Sequence, residues 1–219
     1  GEMSAHATKR LRKTIDYMIY LTNLKKITGT SIISKSHIET IEYEKGKKFS
    51  KPVNYKLTFI TLTLPSAQIH TDNEIKSECL NHFLTSLRRK FSIDLYIWKA
   101  EKQENHNIHF HILTNKFIPW EQLRDEWNRI INKLGYVNRY QIKMKEFFKD
   151  GFRLSDNPMD KRTEEKQRAA YLQNLASDFR NPNSTDIHAL YKIKNVAAYI
   201  SKYLSKEVTK TDRIIKRDS

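Results

Sequence analysis

Apolar positions along the chain recur with two periods, and the changes between them mark the elements. From about Ser4 to Lys26, Leu11, Ile15, Met18 and Tyr17, then Leu21 and Tyr20, fall at helical spacing among Lys9, Arg10, Arg12 and Lys13. Such a stripe needs cover, so a helix packed on the core is favoured over a free basic arm. Residues 27–56 hold β-branched runs around Lys45-Gly46-Lys47-Lys48 and read as one or two strands. Between Tyr55 and Leu64, Leu57, Phe59, Thr61 and Thr63 alternate with Ile60, Leu62 and Leu64, and Pro65 stops the run. Apolar residues on both faces predict a strand near the middle of a sheet.

A helix is predicted from Asp72 to about Phe91, with Leu80, Phe83, Leu84 and Leu87 as its buried stripe. Strands at Asp94–Lys102 and Ile108–Thr114 flank a short polar turn and should form a hairpin. Pro119 opens a helix that Gly135 ends, and Tyr140–Phe148 reads as a further strand. Lys149–Glu165 is a predicted loop, Lys166–Phe179 a helix, Asn181–Asp186 a loop and Ile193–Lys206 a second helix. This order suggests α+β, an antiparallel sheet of about five strands with helices on one face. Residues 51–207 form the expected main domain, 1–50 an added basic helix with short strands, and 208–219 a charged, flexible tail.

Charge narrows the partners. Forty Lys and Arg against 25 Asp and Glu leave a formal +15, which points to a polyanion. A single cysteine, Cys79, excludes an intramolecular disulfide and a multi-cysteine zinc site. No apolar run approaches the roughly 18 residues that span a bilayer, so no membrane role and an intracellular location are expected. The opening Gly1-Glu2-Met3 reads as a tag remnant.

Candidate chemistry gathers on the hairpin. In His109-Phe110-His111 strand alternation points both imidazoles one way and Phe110 the other. Two neutral imidazoles side by side can share a divalent cation. An isolated pair of this kind is a weak signal, but the partner strand offers Glu101 and Gln103 at alternating positions. Either would complete a site suited to Mg²⁺ or Mn²⁺, and the formal charge of Glu101 favours it for a hard cation. Asn105 in the turn tolerates left-handed backbone geometry, and His106 reads as a turn residue.

The second candidate is the helix around Tyr199-Ile200-Ser201-Lys202-Tyr203. Tyr199 and Tyr203 are i and i+4, and Lys202 lies between them, while Val196, Ile200 and Leu204 would dock the helix on the core. A phenol attacking phosphate needs a metal or lysine nearby to favour phenolate. Two tyrosines at this spacing are, taken alone, more often an ordinary amphipathic contact.

The stretch Ala100–Leu113 resembles the metal motif of the HUH endonucleases, which include rolling-circle replication initiators, relaxases and related transposases. In several initiators a glutamate stands eight residues before the first histidine, as Glu101 stands before His109. Tyr199-Ile200-Ser201-Lys202-Tyr203 is similar to the two-tyrosine motif of phage gene A initiators, and Phe59-Ile60-Thr61-Leu62-Thr63 resembles the family's first strand motif. The three occur in the family's order over about residues 55–207. Many relatives carry glycine where this chain has Asn105-His106.

The resemblance implies a ferredoxin-like sheet and a metal-dependent nickase of single-stranded origin DNA, with a hairpin as one candidate form. His109, His111 and Glu101 or Gln103 would hold the ion. Tyr199 or Tyr203 would attack the scissile phosphate beside Lys202, leaving a 5′-phosphotyrosine and a free 3′-hydroxyl. It further implies a plasmid- or phage-encoded protein in a bacterial or archaeal cytoplasm. No Walker-type motif occurs in the sequence, so a separate helicase and a polymerase are expected partners. Arg88, Arg89, Lys143, Lys145, Lys194 and Lys206 are candidates for tracking the DNA backbone. Alternatives are a transposase or mobilisation relaxase with the same chemistry, and a non-catalytic single-stranded nucleic-acid-binding module.

Overall fold

The computed structural model describes residues 5–28, 55–103, 105–156 and 160–190. The strands expected within 27–54, the helix expected at 193–206 and the tail lie outside them. Among the described residues the fold is α+β, with a four-stranded antiparallel sheet. In chain order the elements are α1 (Ala5–Thr28), β1 (Tyr55–Leu62), α2, β2 (Tyr96–Lys102), β3 (Ile108–Lys116), α3 (Trp120–Ile131), α4 (Tyr136–Phe147), α5 (Glu164–Ala176) and β4 (Thr185–Ala189). Helix α2 is built from an α-helical turn at Asp72–Glu74, a π-helical stretch at Ile75–Leu80 and an α-helix at Asn81–Arg89. The strands lie in the order β2-β3-β1-β4.

Alternation along β1 explains the layering. Ile60 and Leu62 face one side, where Phe110 and Ile112 of β3 join Phe83 and Leu87 of α2 and Leu123 and Trp127 of α3. Trp127 is wholly buried and its Nε1 donates to the carbonyl of Thr63 at 2.8 Å, tying α3 to the end of β1. Leu57 and Phe59 face the other side and pack with Leu113, Leu190 and with Ile15 and Met18 of α1. Helices therefore cover both faces of the sheet rather than one, because a central strand that is apolar on both sides needs cover on both. Helix α1 is the expected packed helix, through Leu11, Ile15 and Met18, but Tyr17 and Tyr20 of the expected stripe are exposed because they lie on the helix face turned away from the sheet.

Local chemistry sets the element ends. At the start of α2, Thr71 and Glu74 form a reciprocal capping box: Thr71 Oγ1 accepts from the Glu74 amide, and the Glu74 carboxylate accepts from the Thr71 amide. Gly135 adopts φ +78° between the 3₁₀ turn after α3 and the start of α4, a geometry that favours glycine.

Two expectations for the second half are corrected. Tyr140–Phe148, expected as a strand, lies mostly within α4. Tyr136, Val137, Tyr140, Met144 and Phe147 are buried or half-buried at helical spacing, whereas Ile142 is 68% exposed. The apparent alternation of Tyr140, Ile142 and Met144 was therefore the wrong period. The loop expected at Asn181–Asp186 ends early, because β4 begins at Thr185 and pairs along the edge of β1. Only five residues long, with Asp186 and His188 exposed, it has too little apolar alternation to stand out.

Cys79 is fully buried in the π-helical stretch, and burial pushes its thiol up to about 11, so it packs as a small apolar residue.

Candidate metal centre

The β2–β3 hairpin sets the geometry. In register, Glu101 pairs with His109, Lys99 with His111 and Ile97 with Leu113. The next ladder pairs His111 with Thr61 of β1, and Thr61 in turn pairs with Asp186 of β4. His109 and His111 thus share the sheet face that carries α1, with Phe110 in the opposite core.

The turn fixes this register. Gln103 donates its amide to the Asn107 carbonyl at 2.9 Å, and His106 donates to the Gln103 carbonyl at 2.9 Å. It is His106, not Asn105, that takes the left-handed conformation, at φ +64°. Asn105 instead accepts from the Asn107 amide through Oδ1 at 3.0 Å, a turn closed by a side chain. A second clamp comes from the segment after β1. Asn107 Oδ1 accepts from the Gln68 amide at 2.8 Å, and Gln68 Oε1 accepts from the Ile108 amide at 2.6 Å.

At the site, Glu101 Oε1 lies 2.6 Å from His109 Nε2 and 2.8 Å from His111 Nε2. The two imidazole centroids are 4.5 Å apart. One ligand atom from each of the three residues lies within 4.8 Å of the others. A carboxylate only accepts, so both Nε2 atoms carry protons in this arrangement. His111 Nδ1 is then an acceptor and takes the Thr61 hydroxyl at 3.2 Å. With Nε2 given to a cation instead, Nδ1 carries the proton and Thr61 Oγ1 accepts it, so one threonine orients the ring in both states. Phe59 stacks on the same ring at 5.3 Å. His109 Nδ1 is buried with no hydrogen-bond partner among the described residues.

Electrostatics favour ligand forms. Burial pushes the His111 imidazole below its ordinary range, more than the Glu101 bond raises it, so the ring is neutral near pH 7. Burial works against the Glu101 carboxylate, but the bonds from His109 and His111 outweigh it and hold the group below the usual range. Two imidazoles and one carboxylate converging on one point are a donor set that fits a divalent ion with open positions.

Not every expected site residue gathers here. Glu101, His109 and His111 do. Gln103 lies just past the end of β2, and its backbone closes the turn. Arg88 and Arg89 are exposed at the end of α2, which packs on the opposite sheet face. Lys145 of α4 pairs with Asp178 at 2.7 Å, and Lys143 lines a cavity beside α4. Tyr199, Lys202, Tyr203, Lys194 and Lys206 lie outside the described residues. The sequence reading missed Thr61, Phe59 and Lys99 as neighbours of His111. Thr61 stands in an alternating strand, but only the β1–β3 register shows which imidazole it meets.

A model of the family described as Replication-associated protein ORF2 matches residues 57–208, about two thirds of the chain. The chain belongs to that family. Membership brings a role in replication initiation, and the matched stretch includes the whole Glu101–His109–His111 cluster. No curated protein and no solved structure matches the chain.

Proposed function

We propose that this member of the replication-associated family nicks and rejoins single-stranded origin DNA by tyrosine transesterification, initiating rolling-circle replication. The observation that carries the reading is the convergence of His109 Nε2 and His111 Nε2 on Glu101 Oε1 within a replication-associated chain. Glu101, His109 and His111 would hold Mg²⁺ or Mn²⁺. Bound there, the ion would supply Lewis-acid polarisation of the scissile phosphate.

The chain's own residues do the rest. Thr61 and Phe59 orient the His111 ring, so the donor set is preorganised before DNA arrives. Tyr199 or Tyr203, four apart in sequence, attacks phosphorus through its phenolic oxygen. The bond to the 3′-oxygen breaks, the phenolic proton goes to solvent, and the 3′-oxygen takes up a proton. A 5′-phosphotyrosine and a primer 3′-hydroxyl result, with no nucleotide consumed. The second tyrosine repeats the step on the regenerated origin, and reversal joins the ends. Lys202, between the tyrosines in sequence, offsets phosphate charge.

The test mixes the protein with Mn²⁺ and labelled single-stranded oligonucleotides from its replicon's origin, then separates the products under denaturing conditions. A slower band should survive denaturation, vanish with EDTA, and vanish in the Tyr199→Phe, Tyr203→Phe double variant. Salt-sensitive binding with no covalent band on any origin oligonucleotide would instead make the chain a binding module.

A further inference from the structure

Away from the histidine cluster, α4, α5 and residues 148–156 enclose a cavity of about 670 Å³, within the range of small-ligand sites. Its walls combine two kinds of group. Phe147, Phe148, Phe152 and Tyr171 form a chain of ring contacts, with Phe148 to Tyr171 at 4.8 Å and Phe152 to Tyr171 at 5.7 Å. Phe148 and Tyr171 also rest on the buried Phe179, at 5.8 and 6.4 Å, and Arg168 lies over one face of Phe152 at 4.3 Å, yet all four rings stay half-buried at the cavity.

The second kind is cationic. Arg124 of α3 lies over the Trp120 ring at 4.6 Å and donates through Nη2 to Asn183 Oδ1 at 2.6 Å. Its Nε is enclosed with no partner among the described residues, and no carboxylate there forms an ion pair with it. Burial draws the guanidinium below its ordinary range and outweighs the opposing pull of Asp125 and Glu121, neither of which forms an ion pair with it. Lys143 also lines the cavity with no ion-pair partner among the described residues. By contrast Arg153 is matched by Asp156, and Arg162 by Asp160 at 2.6 Å.

We propose that this cavity holds one unstacked nucleotide of the single-stranded DNA, its base against Tyr171 and Phe152 and its phosphate facing Arg124 and Lys143. Half-buried rings beside a half-buried arginine and an exposed lysine, neither held in an ion pair among the described residues, match a group that is flat and apolar at one end and anionic at the other. Placement agrees. Asn181 and Asn183 of the lining lead into Ser184, whose carbonyl accepts from the Thr63 amide at 2.8 Å. The cavity therefore adjoins the β4 edge of the sheet, three strand spacings or about 14 Å from the strand of Glu101. A DNA strand reaching both passes round the β4 edge, because α3 packs on the sheet face opposite the histidine cluster. The inference rests on the substrate proposed above, single-stranded DNA, and not on the cleavage chemistry.

The full chain in EDTA, where no cleavage occurs, is titrated into a fluorescent mixed-sequence 20-mer and an abasic 20-mer, read by anisotropy. Arg124→Met and Tyr171→Leu should each weaken binding of the mixed-sequence strand by about 5- to 20-fold. Tyr171→Leu should leave the abasic strand unaffected. Lys143→Ala, at an exposed position that cannot disturb packing, should weaken both strands about threefold and lower the salt slope by about one. Wild-type Mn²⁺ binding and thermal melting in the variants would show that the fold and the histidine cluster are intact. Unchanged affinities in all three variants overturn the inference, as does displacement of the 20-mer by micromolar deoxynucleoside triphosphate, which would assign the cavity to free nucleotide. The covalent-band assay reads the chemistry separately. A band with unchanged variant affinities sinks this site alone, and weakened variants without a band sink the cleavage reading alone.

Discussion

Glu101 and His109 are direct partners across the β2–β3 ladder, and that pairing brings Oε1 within 2.6 Å of Nε2. Side chains alternate with period two, so a slip of one residue would send both histidines into the core and Phe110 out of it. The register is held by the buried Asn107, whose side chain accepts from the Gln68 amide and donates to the Ser66 carbonyl at 3.0 Å.

Asn107→Ala is therefore expected to cost more than its size suggests. It leaves the half-buried Gln68 amide and Ser66 carbonyl without these partners, worth about 1–2 kcal/mol together. Urea unfolding should show that loss, and Mn²⁺ affinity should fall as well because the hairpin places the ligands. Wild-type Mn²⁺ affinity in a destabilised Asn107→Ala protein would mean that the turn does not govern the cluster.

Thr61 separates orientation from ligation. Thr61→Val keeps the shape of the side chain and removes the hydroxyl 3.2 Å from His111 Nδ1. Loss of such a supporting bond typically costs about 10- to 100-fold in metal affinity. Thr61→Ser should restore most of it, while Glu101→Gln should lose more than Thr61→Val by removing formal charge. Calorimetric titration with Mn²⁺ ranks the three, and equal affinity for Thr61→Val and wild type would remove Thr61 from the site.

Much of this arrangement is legible in the sequence, for identifiable reasons. His109-Phe110-His111 and Glu101 lie on adjacent strands joined by a short turn, so alternation alone places three donors on one face. The period misled at α4, where Tyr140, Ile142 and Met144 alternate by chance while the buried positions follow a helix. β4 was invisible because an edge strand of five residues carries little pattern. Thr61 and the Arg124 cavity depend on contacts between residues 50 or more positions apart or on walls from three elements, and no local window contains them.

Helix α1 lies before the stretch that the family shares, yet Ile15 is wholly buried against the sheet face that carries the histidine cluster. Ile15→Ala should destabilise by about 2–5 kcal/mol, the usual range for emptying a core position. Removal of residues 1–28 would uncover Leu57, Phe59 and Leu113 together, and the shortened chain should bind a hydrophobic dye and aggregate. A truncated protein with unchanged melting temperature would show α1 to be an accessory arm.

Glu126 sets the acid limit of the fold. Burial alone would raise its carboxyl, but bonds from Arg129, Lys90 and Ser86 outweigh burial and hold it at about 2, against 4.5 for an ordinary glutamate. The carboxylate is 3% exposed and lies 2.6 Å from Arg129 Nη2 and 2.7 Å from Lys90 Nζ. A group whose value is depressed on folding stabilises the native state above its unfolded value and loses that contribution as the pH falls toward its folded one. The Glu126 contribution should therefore be level from neutrality to about pH 5 and decline by about 2–3 kcal/mol between pH 5 and 2, the two exposed cations limiting the effect. Glu126→Gln should be less stable at pH 7 by a similar amount and nearly flat over the acid range. Urea midpoints for both proteins at pH 7, 5, 4 and 3 provide the comparison. Parallel curves would mean that other carboxylates carry the acid sensitivity.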